Sequence, residues 1–322
     1  MGVSTEAGAA APPGESRGMR WLPGRLQSDL ALRRLALTSV LANVVIVVTG
    51  GAVRLTNSGL GCPTWPSCTD GSLTPTKAYA IHGIIEFTNR QLTFVLVVVA
   101  LATWLVAMAV RRERWLASIA ALGIPAQAVL GGLTVLTHLN PWLVAAHFLL
   151  SMAIIAVTLL LWWRLRAAAA PVGVTPPAAR LLARVTVAVT AATLVIGTVV
   201  TGSGPHAGDK DASGAVHRTG LNVASVAQLH ADAVMALIGL TVGLLALLYA
   251  VPAAESPRRA AAVLLIVELA QGVIGYTQYF LDVPPLLVAL HMLGACLVWL
   301  AALGLLLAIR GRPDRAGLRT AG

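Results

Sequence analysis

One apolar stretch occurs twice in the chain, and each copy ends on a histidine. The first copy, residues 127–147, reads QAVLGGLTVLTHLNPWLVAAH, and the second, residues 271–291, reads QGVIGYTQYFLDVPPLLVALH. At a constant offset of 144 residues the copies share a Gln, a Val, a Gly, a Pro, a Leu-Val-Ala run and the final histidine, His147 or His291. Self-similarity at a long fixed period indicates duplication of a structural unit. Imidazole can act as a base or bind a metal ion, and an ionisable residue in so apolar a run is a functional-site hypothesis by default.

A second imidazole belongs to the second copy. His230 lies in VASVAQLHADAVMAL, about as deep in its apolar run as His291 is in its own. One such histidine could equally be a core residue bonded to a backbone carbonyl, but two at matched depth on separate helices favour a cofactor site in a bundle core. Two neutral imidazoles on opposite sides of a macrocycle are typical axial ligands of a b-type haem. Isolated histidines without Cys or acidic neighbours argue against zinc or di-iron, so the pattern predicts haem b between His230 and His291.

The first copy keeps only one histidine of this pair. At an offset of 141 residues from His230, the counterpart is Asn89, in IHGIIEFTNRQL. The same helix carries two charges where the second copy has alanines, Glu86 against Ala227 and Arg90 against Ala231. The two sites are therefore predicted to be related but chemically unequal.

Glu86 is the candidate catalytic residue. It shares a helix face with Asn89 and His82, and a carboxylate at the centre of a membrane helix costs about 2.5–3.5 kcal/mol on insertion scales. Its presence in only one copy favours a functional role. A structural salt bridge to Arg90 or Arg54 is the alternative that the sequence leaves open.

Composition places the chain in a membrane. Of its 322 residues 57% are hydrophobic and 11% charged, and the mean hydropathy is +0.80, which excludes an ordinary soluble domain. The net charge of +10 does not indicate nucleic-acid binding, because the arginines sit in short runs between apolar segments. Three cysteines are too few for a disulfide scaffold, and Cys296, in an apolar run, is expected to be a packing residue.

Eight apolar segments are long enough to cross a bilayer as helices. Most of the 23 basic residues lie in both terminal regions and in alternate loops, so the positive-inside rule places both termini in the cytoplasm. The predicted spans are 35–53, 81–110, 115–136, 141–164, 180–202, 225–251, 257–281 and 285–309.

The predicted fold is an all-α integral membrane protein, with eight transmembrane helices in two four-helix bundles related as parallel repeats. Pro141 and Pro285 suit the first turn of a helix, and Asn140 is a plausible cap. His138, His206 and His217 are expected in outer loops. The predicted organisation is a disordered cytoplasmic tail (1–34), an N-terminal bundle (35–164), a cytoplasmic linker (165–179), a C-terminal bundle (180–309) and a basic cytoplasmic tail (310–322).

Several motifs occur in an order that resembles one known family. The loop after the first helix reads TGGAVRLTNSGLGCPTWPSCTDG and is followed by IIEFTNRQL. The two histidine contexts read AAHFLLS and ALHMLGA. Together these motifs resemble the haem A synthase family over nearly the whole membrane domain.

The resemblance implies a reaction and a set of site residues. Haem O would be oxidised by two successive hydroxylations of a ring methyl, giving a gem-diol that loses water to form the formyl group of haem A. Haem b would be held in the C-terminal half by His230 and His291. The family's catalytic glutamate maps to Glu86. The substrate haem would lie in the N-terminal half against His147, where many relatives have a histidine in place of Asn89.

The resemblance further implies a disulfide between Cys62 and Cys68 in the outer loop. Arg54, Lys77 and Arg90 are candidates to pair with haem propionates. The implied setting is the plasma membrane, with membrane lipid around the helices and a farnesyltransferase that supplies haem O. The electron donor and the formation of a homo-oligomer are left open.

Two other functions remain open from the sequence. A di-haem b-type cytochrome that only transfers electrons would have two equivalent bis-histidine sites, which Asn89 and Glu86 count against. A transporter of the parallel-repeat type would have broken helices near the midplane, whereas the polar residues here cluster near the outer ends.

Overall fold

The computed structural model describes residues 28–68, 72, 74, 80–166, 176–206, 208–210 and 214–311. Each of the eight helices in these ranges is long and apolar enough to cross a membrane. The prediction of an all-helical membrane protein is therefore confirmed. The helices are α1 (Asp29–Leu55), α2 (Ala80–Val110), α3 (Arg114–Leu136), α4 (Pro141–Leu165), α5 (Pro177–Ser203), α6 (Val223–Ala250), α7 (Glu255–Phe280) and α8 (Pro285–Arg310).

The helix bounds agree with the predicted spans to within a few residues, except at the start of α1. That helix begins at Asp29, so residues 29–34, expected in the disordered tail, are helical instead. The reason is a local start signal: the Ser28 hydroxyl accepts a hydrogen bond from the Ala31 N–H at 3.1 Å, which caps the first turn. Residues 1–27, 167–175 and 312–322, where the rest of the predicted tails and linker fall, lie outside the described residues.

Other helix starts follow the expected chemistry. The Asn140 side chain accepts from the Trp142 N–H at 3.0 Å, and Pro141 opens α4. Pro285 opens α8 in the same way, where the missing N–H would have had no helical partner.

The helices pack as two groups of four. Within the first group, contacts join α1 to α2, α2 to α3, α3 to α4 and α4 back to α1, and the second group repeats this ring with α5 to α8. The groups meet through α1 and α8, α4 and α5, and α4 and α8. The Trp299 indole N–H of α8 donates to the Met152 carbonyl of α4 at 2.9 Å across this boundary.

Ion pairs join the helices at one end of the first group, where α1 and α3 begin. Arg112 in the loop between α2 and α3 pairs with Asp29 of α1, and Arg164 of α4 pairs with Glu113 at 3.3 Å. In the second group the half nearer the start of α5 is an apolar core, with several leucines fully buried, among them Leu244, Leu248, Leu264 and Leu305.

The second outer loop bridges both groups. The Arg54 guanidinium donates to the His206 carbonyl at 2.6 Å, and the His206 ring nitrogen Nε2 bonds the Val283 carbonyl at 2.8 Å. The Gly59 N–H donates to the Gly208 carbonyl at 3.2 Å. These contacts hold the segment between α5 and α6 at the end of the helices where α4 and α8 begin.

Candidate functional site

His230 and His291 face each other inside the second bundle. Their ring centroids lie 6.4 Å apart and their planes are inclined by 70°. Two nitrogen–iron bonds of about 2 Å each, plus the distance from each ligating nitrogen to its ring centre, give a centroid separation of about 6 Å. The observed separation of the two rings matches the one expected for two imidazoles on a single iron.

A glycine on the preceding helix makes room for each histidine. A Cβ at Gly275 would lie 3.2 Å from His291 Cε1, and a Cβ at Gly197 would lie 3.1 Å from His230 Cε1. Both distances are shorter than ordinary van der Waals contact, so a side chain at either glycine would press on the ring. A Cβ at either position would require the ring to shift by a few tenths of an ångström.

The first bundle repeats this arrangement around His147. A Cβ at Gly131 would lie 3.0 Å from His147 Cε1. On the other side, Gly50 faces the side-chain nitrogen of Asn89, at 4.0 Å from a Cβ built on the glycine. Asn89 thus occupies the place that His230 takes in the second bundle, but with a looser fit.

Paired glutamines anchor the helices that carry two of the histidines. The Gln271 amide donates to the His291 carbonyl at 2.7 Å, and the Gln127 amide donates to the His147 carbonyl at 3.1 Å. The Nδ1 atoms of His147 and His291 are buried without a protein hydrogen-bond partner. Each of these nitrogens lies beside the preceding helix, 3.6 Å from a Cβ built at Gly131 and 3.7 Å from a Cβ built at Gly275.

Asn89 is tied to α1 by the Thr49 hydroxyl, which donates to its side-chain oxygen at 2.8 Å. The amide nitrogen of Asn89 is left to face the interior of the bundle. Such a group is a poor ligand for haem iron beside imidazole, but it is a good hydrogen-bond donor.

Glu86 is buried, with 5% of its surface exposed, and both of its oxygens accept hydrogen bonds. Oε1 accepts from Arg90 at 2.7 Å, and Oε2 accepts from the Cys62 backbone N–H at 2.6 Å. The salt bridge that the sequence left open is therefore present. The same contacts fix the carboxylate at one place in the bundle.

Arg90 clasps the outer loop rather than a haem. One terminal nitrogen donates to the Thr64 and Ser67 carbonyls at 3.2 Å each, and the other donates to the Cys62 carbonyl at 2.9 Å and to Glu86. Its four terminal N–H groups are thus taken by the protein. The geometry does not favour the expected pairing of Arg90 with a propionate.

The outer loop is closed by the predicted disulfide between Cys62 and Cys68, which is confirmed. Trp65 in this loop packs on α3 so closely that a Cβ at Gly132 would lie 2.5 Å from its indole. The loop is therefore attached to α2 through Arg90 and to α3 through Trp65, and it covers the first bundle.

The remaining candidates are placed as follows. His82 is exposed, and its Nδ1 bonds the Ser58 hydroxyl at 3.0 Å. Arg54 donates to the carbonyls of His206 and Thr201, while Lys77 lies outside the described residues. Within the described part of the chain, no three His, Cys, Asp or Glu side chains converge on a metal-sized site, so the histidine pair is a two-ligand arrangement.

Fold and site together define a polytopic membrane protein with a histidine pair in one helix bundle and a buried acid, a histidine and an asparagine in the other. The model of the COX15-CtaA family, described as cytochrome oxidase assembly protein, matches residues 33–303. The chain belongs to that family.

Curated relatives point in the same direction. The heme A synthase of Lysinibacillus sphaericus is 33% identical over 141 residues, which cover 42% of this chain and 45% of the relative. The heme A synthase of Geobacillus thermodenitrificans is 31% identical over 134 residues, or 40% of this chain and 41% of the relative. That of Bacillus licheniformis is 33% identical over 136 residues, or 41% and 44%. The matched region spans less than half the length of each of these relatives.

Proposed function

We propose that this protein is a haem A synthase, which oxidises a ring methyl of haem O to the formyl group of haem A by two successive hydroxylations. The name of the curated relatives supports this reaction. The observation that carries the proposal is the inequality of the two bundles. One has a histidine pair at iron-binding separation, and the other replaces one histidine with Asn89 and adds the buried Glu86.

In this proposal His230 and His291 hold a resident haem b, which supplies one-electron transfer when bound. Gly197 and Gly275 set the ring positions, and the hydrogen bond from Gln271 fixes the backbone of the second ligand. Two histidine ligands from the protein would hold the haem firmly, which suits electron transfer rather than exchange of the bound group. Replacing either histidine with alanine should remove the low-spin haem signal from the reduced spectrum.

His147 would bind the substrate haem on one face, with Asn89 on the other. A substrate must leave after turnover, and weaker axial ligation permits that release. The Asn89 amide nitrogen would donate a hydrogen bond at the open face, while the Thr49 hydroxyl keeps the side chain oriented.

Glu86 would act on the methyl group that is oxidised. Because both of its oxygens accept hydrogen bonds, the geometry describes an ionised carboxylate. Such a group can accept a proton or stabilise positive charge that develops on the methyl carbon. Arg90 and the Cys62 N–H position it, and the disulfide loop shields it from outside water.

The proposal includes a cellular setting. The protein would lie in the plasma membrane with both termini in the cytoplasm, and would receive haem O from a farnesyltransferase in the same membrane. The catalytic end would then face outside, where the disulfide can form.

The test is conversion of haem O in a host that makes haem O but no haem A. Membranes containing the wild-type chain should accumulate haem A, while membranes containing Glu86→Ala should retain haem O. Failure of the wild-type chain to form any haem A, although it is inserted and carries haem b, would contradict the proposal.

A further inference from the structure

Glu268 is a second buried acid, and the function proposed above does not use it. It lies near the middle of α7 and has 3% of its surface exposed. Oε1 accepts a hydrogen bond from the Thr241 hydroxyl of α6 at 2.9 Å, while Oε2 is buried without a protein partner. No basic side chain of the described residues forms a salt bridge with it. A carboxyl at this depth without a counter-charge marks a functional site by default.

The first bundle has no acid at the position equivalent to Glu268. At the offset of 144 residues, the counterpart of Glu268 is Ile124, and at the offset of 141, the counterpart of Thr241 is Ala100. Ile124 and Ala100 both line a small cavity in the first bundle. Glu268 and Thr241 are thus specific to the half of the molecule that carries the histidine pair, as Glu86 is specific to the other half.

Glu268 is linked to the histidine pair through Gln271. The two residues are three positions apart on α7, about 4.5 Å along the axis, and they share a face. The amide nitrogen of Gln271 donates to the His291 carbonyl, while its side-chain oxygen is buried without a partner. The acid therefore lies within about one helical turn of the residue that contacts the ligand helix.

The same face of α7 offers a polar route towards the outer end. Gln278, ten residues after Glu268, also has a buried side-chain oxygen without a protein partner. Unpartnered buried oxygens in a row are acceptors for water. In the cytoplasmic direction the neighbouring Leu244 and Leu264 are fully buried. Protons would therefore reach Glu268 from the outer side.

Few other charged groups on α6, α7 and α8 could bind a proton near the histidine pair in place of Glu268. Of the helices packed against α7, α6 carries Asp232, which is exposed and bonds Gln228, and α8 carries the buried Cys296, which packs between the bundles. The other titratable or charged groups of α6, α7 and α8 are His230, Tyr249, Glu255, Arg258, Arg259, Tyr276, Tyr279, His291 and Arg310. Apart from the two ligands, these lie towards the helix ends, so Glu268 is the one buried acid of α6, α7 and α8.

We infer that Glu268 is a proton-binding site coupled to the redox state of the haem held by His230 and His291. When a one-electron donor reduces the iron, the Glu268 carboxylate takes up one proton from water on the outer side. On oxidation the iron loses the electron and the carboxyl releases the proton. Each exchange leaves the net charge of this low-dielectric region unchanged. The inference rests on the haem b site proposed above.

The midpoint potential of the low-spin haem tests this coupling. Purified holoprotein would be titrated with dithionite and ferricyanide across neutral pH. Wild-type protein should show a potential that falls as pH rises, with a limit of 59 mV for each tenfold change in proton concentration for one electron. Glu268→Gln, which keeps the shape but cannot ionise, should show little dependence. Glu255→Gln is the matched control, since it removes an acid from the exposed cytoplasmic start of the same helix, and it should behave like wild type.

An infrared difference spectrum of the wild-type protein provides a second measurement. It does not depend on whether Glu268→Gln folds. Reduction of wild-type protein should produce a protonated-carboxyl band that moves in heavy water. The band should also shift in Thr241→Val, which removes the hydrogen bond that the described residues give to Glu268. A pH dependence equal in wild type and Glu268→Gln, or no carboxyl band on reduction, would overturn the inference while the haem site stands. A protein without a low-spin haem would overturn both.

Discussion

The carboxylate of Glu86 accepts a hydrogen bond from the backbone N–H of Cys62 at 2.6 Å, so the buried acid of α2 and the disulfide loop above it form one unit. Arg90 completes the unit, because the same guanidinium bonds Glu86 and three loop carbonyls. A change in the loop should therefore alter the surroundings of Glu86 more than those of any residue in the second bundle.

The disulfide gives the first prediction. Reduction should open the loop that buries Cys62 and Cys68, so a membrane-impermeant thiol reagent should label both only after reduction. Cys296, inside α8 where the two groups of helices meet, should stay unlabelled in both states. Cys62→Ser/Cys68→Ser should slow haem A formation while leaving the low-spin haem unchanged, because Cys62 contacts Glu86 and Arg90 of the first bundle. Strong labelling of both cysteines without reductant would show that the bond is absent in the membrane.

Replacing Glu86 should separate catalysis from assembly. Glu86→Ala should lower the rate of haem A formation by about 100- to 10,000-fold, the usual contribution of a positioned acid–base group. Haem b content and the amount of inserted protein should remain at the wild-type level, measured by the reduced spectrum and by immunoblotting. A variant that fails to accumulate would instead assign Glu86 to the structural salt bridge with Arg90.

The glycine behind His291 offers a matched pair of variants on α7. A Cβ at Gly275 would lie 3.2 Å from the ring, whereas a Cβ at Gly272 would have no atom within 4 Å. Gly275→Val should displace the ring and weaken or abolish the low-spin spectrum, while Gly272→Val should leave it intact. Equal spectra in the two variants would mean that Gly275 does not set the position of the His291 ring.

Asn89 is the position where the two bundles differ most plainly. Asn89→His should convert the N-terminal haem towards a low-spin bis-histidine spectrum and slow product formation, because a second strong ligand hinders release. Gly50 leaves room for the larger ring, since its Cβ would lie 4.0 Å from the asparagine nitrogen. His82→Ala is the control and should leave the spin state unchanged. A change of ligation in His82→Ala would show that the haem lies nearer the start of α2 than the level of His147 and Asn89.

The sequence predicts the helices and the histidines well, for a physical reason. A membrane span needs a long apolar run, and that length is visible directly. His147 and His291 stand out because the duplicated stretch repeats both the imidazole and its neighbours. The start of α1 at Asp29 was missed because the Ser28 cap extends the helix into a charged segment.

The contacts that shape the site could not be predicted in the same way. Gly131 and Gly275 are visibly shared by the two copies, but only the packing shows that they face the rings. Arg90 was expected at a propionate and instead holds the loop. Its role depends on the path of a Gly- and Pro-containing loop, which carries no periodic pattern from which that path could be derived.

Analysis of haem extracted from the purified chain, produced in a host that makes haem O, tests the central claim most directly. Two unequal sites in one protein predict haem B together with haem O or haem A, and loss of haem B alone when His291 is replaced with alanine. Haem B as the only haem, in two equivalent low-spin sites, would contradict the claim and identify an electron-transferring cytochrome instead.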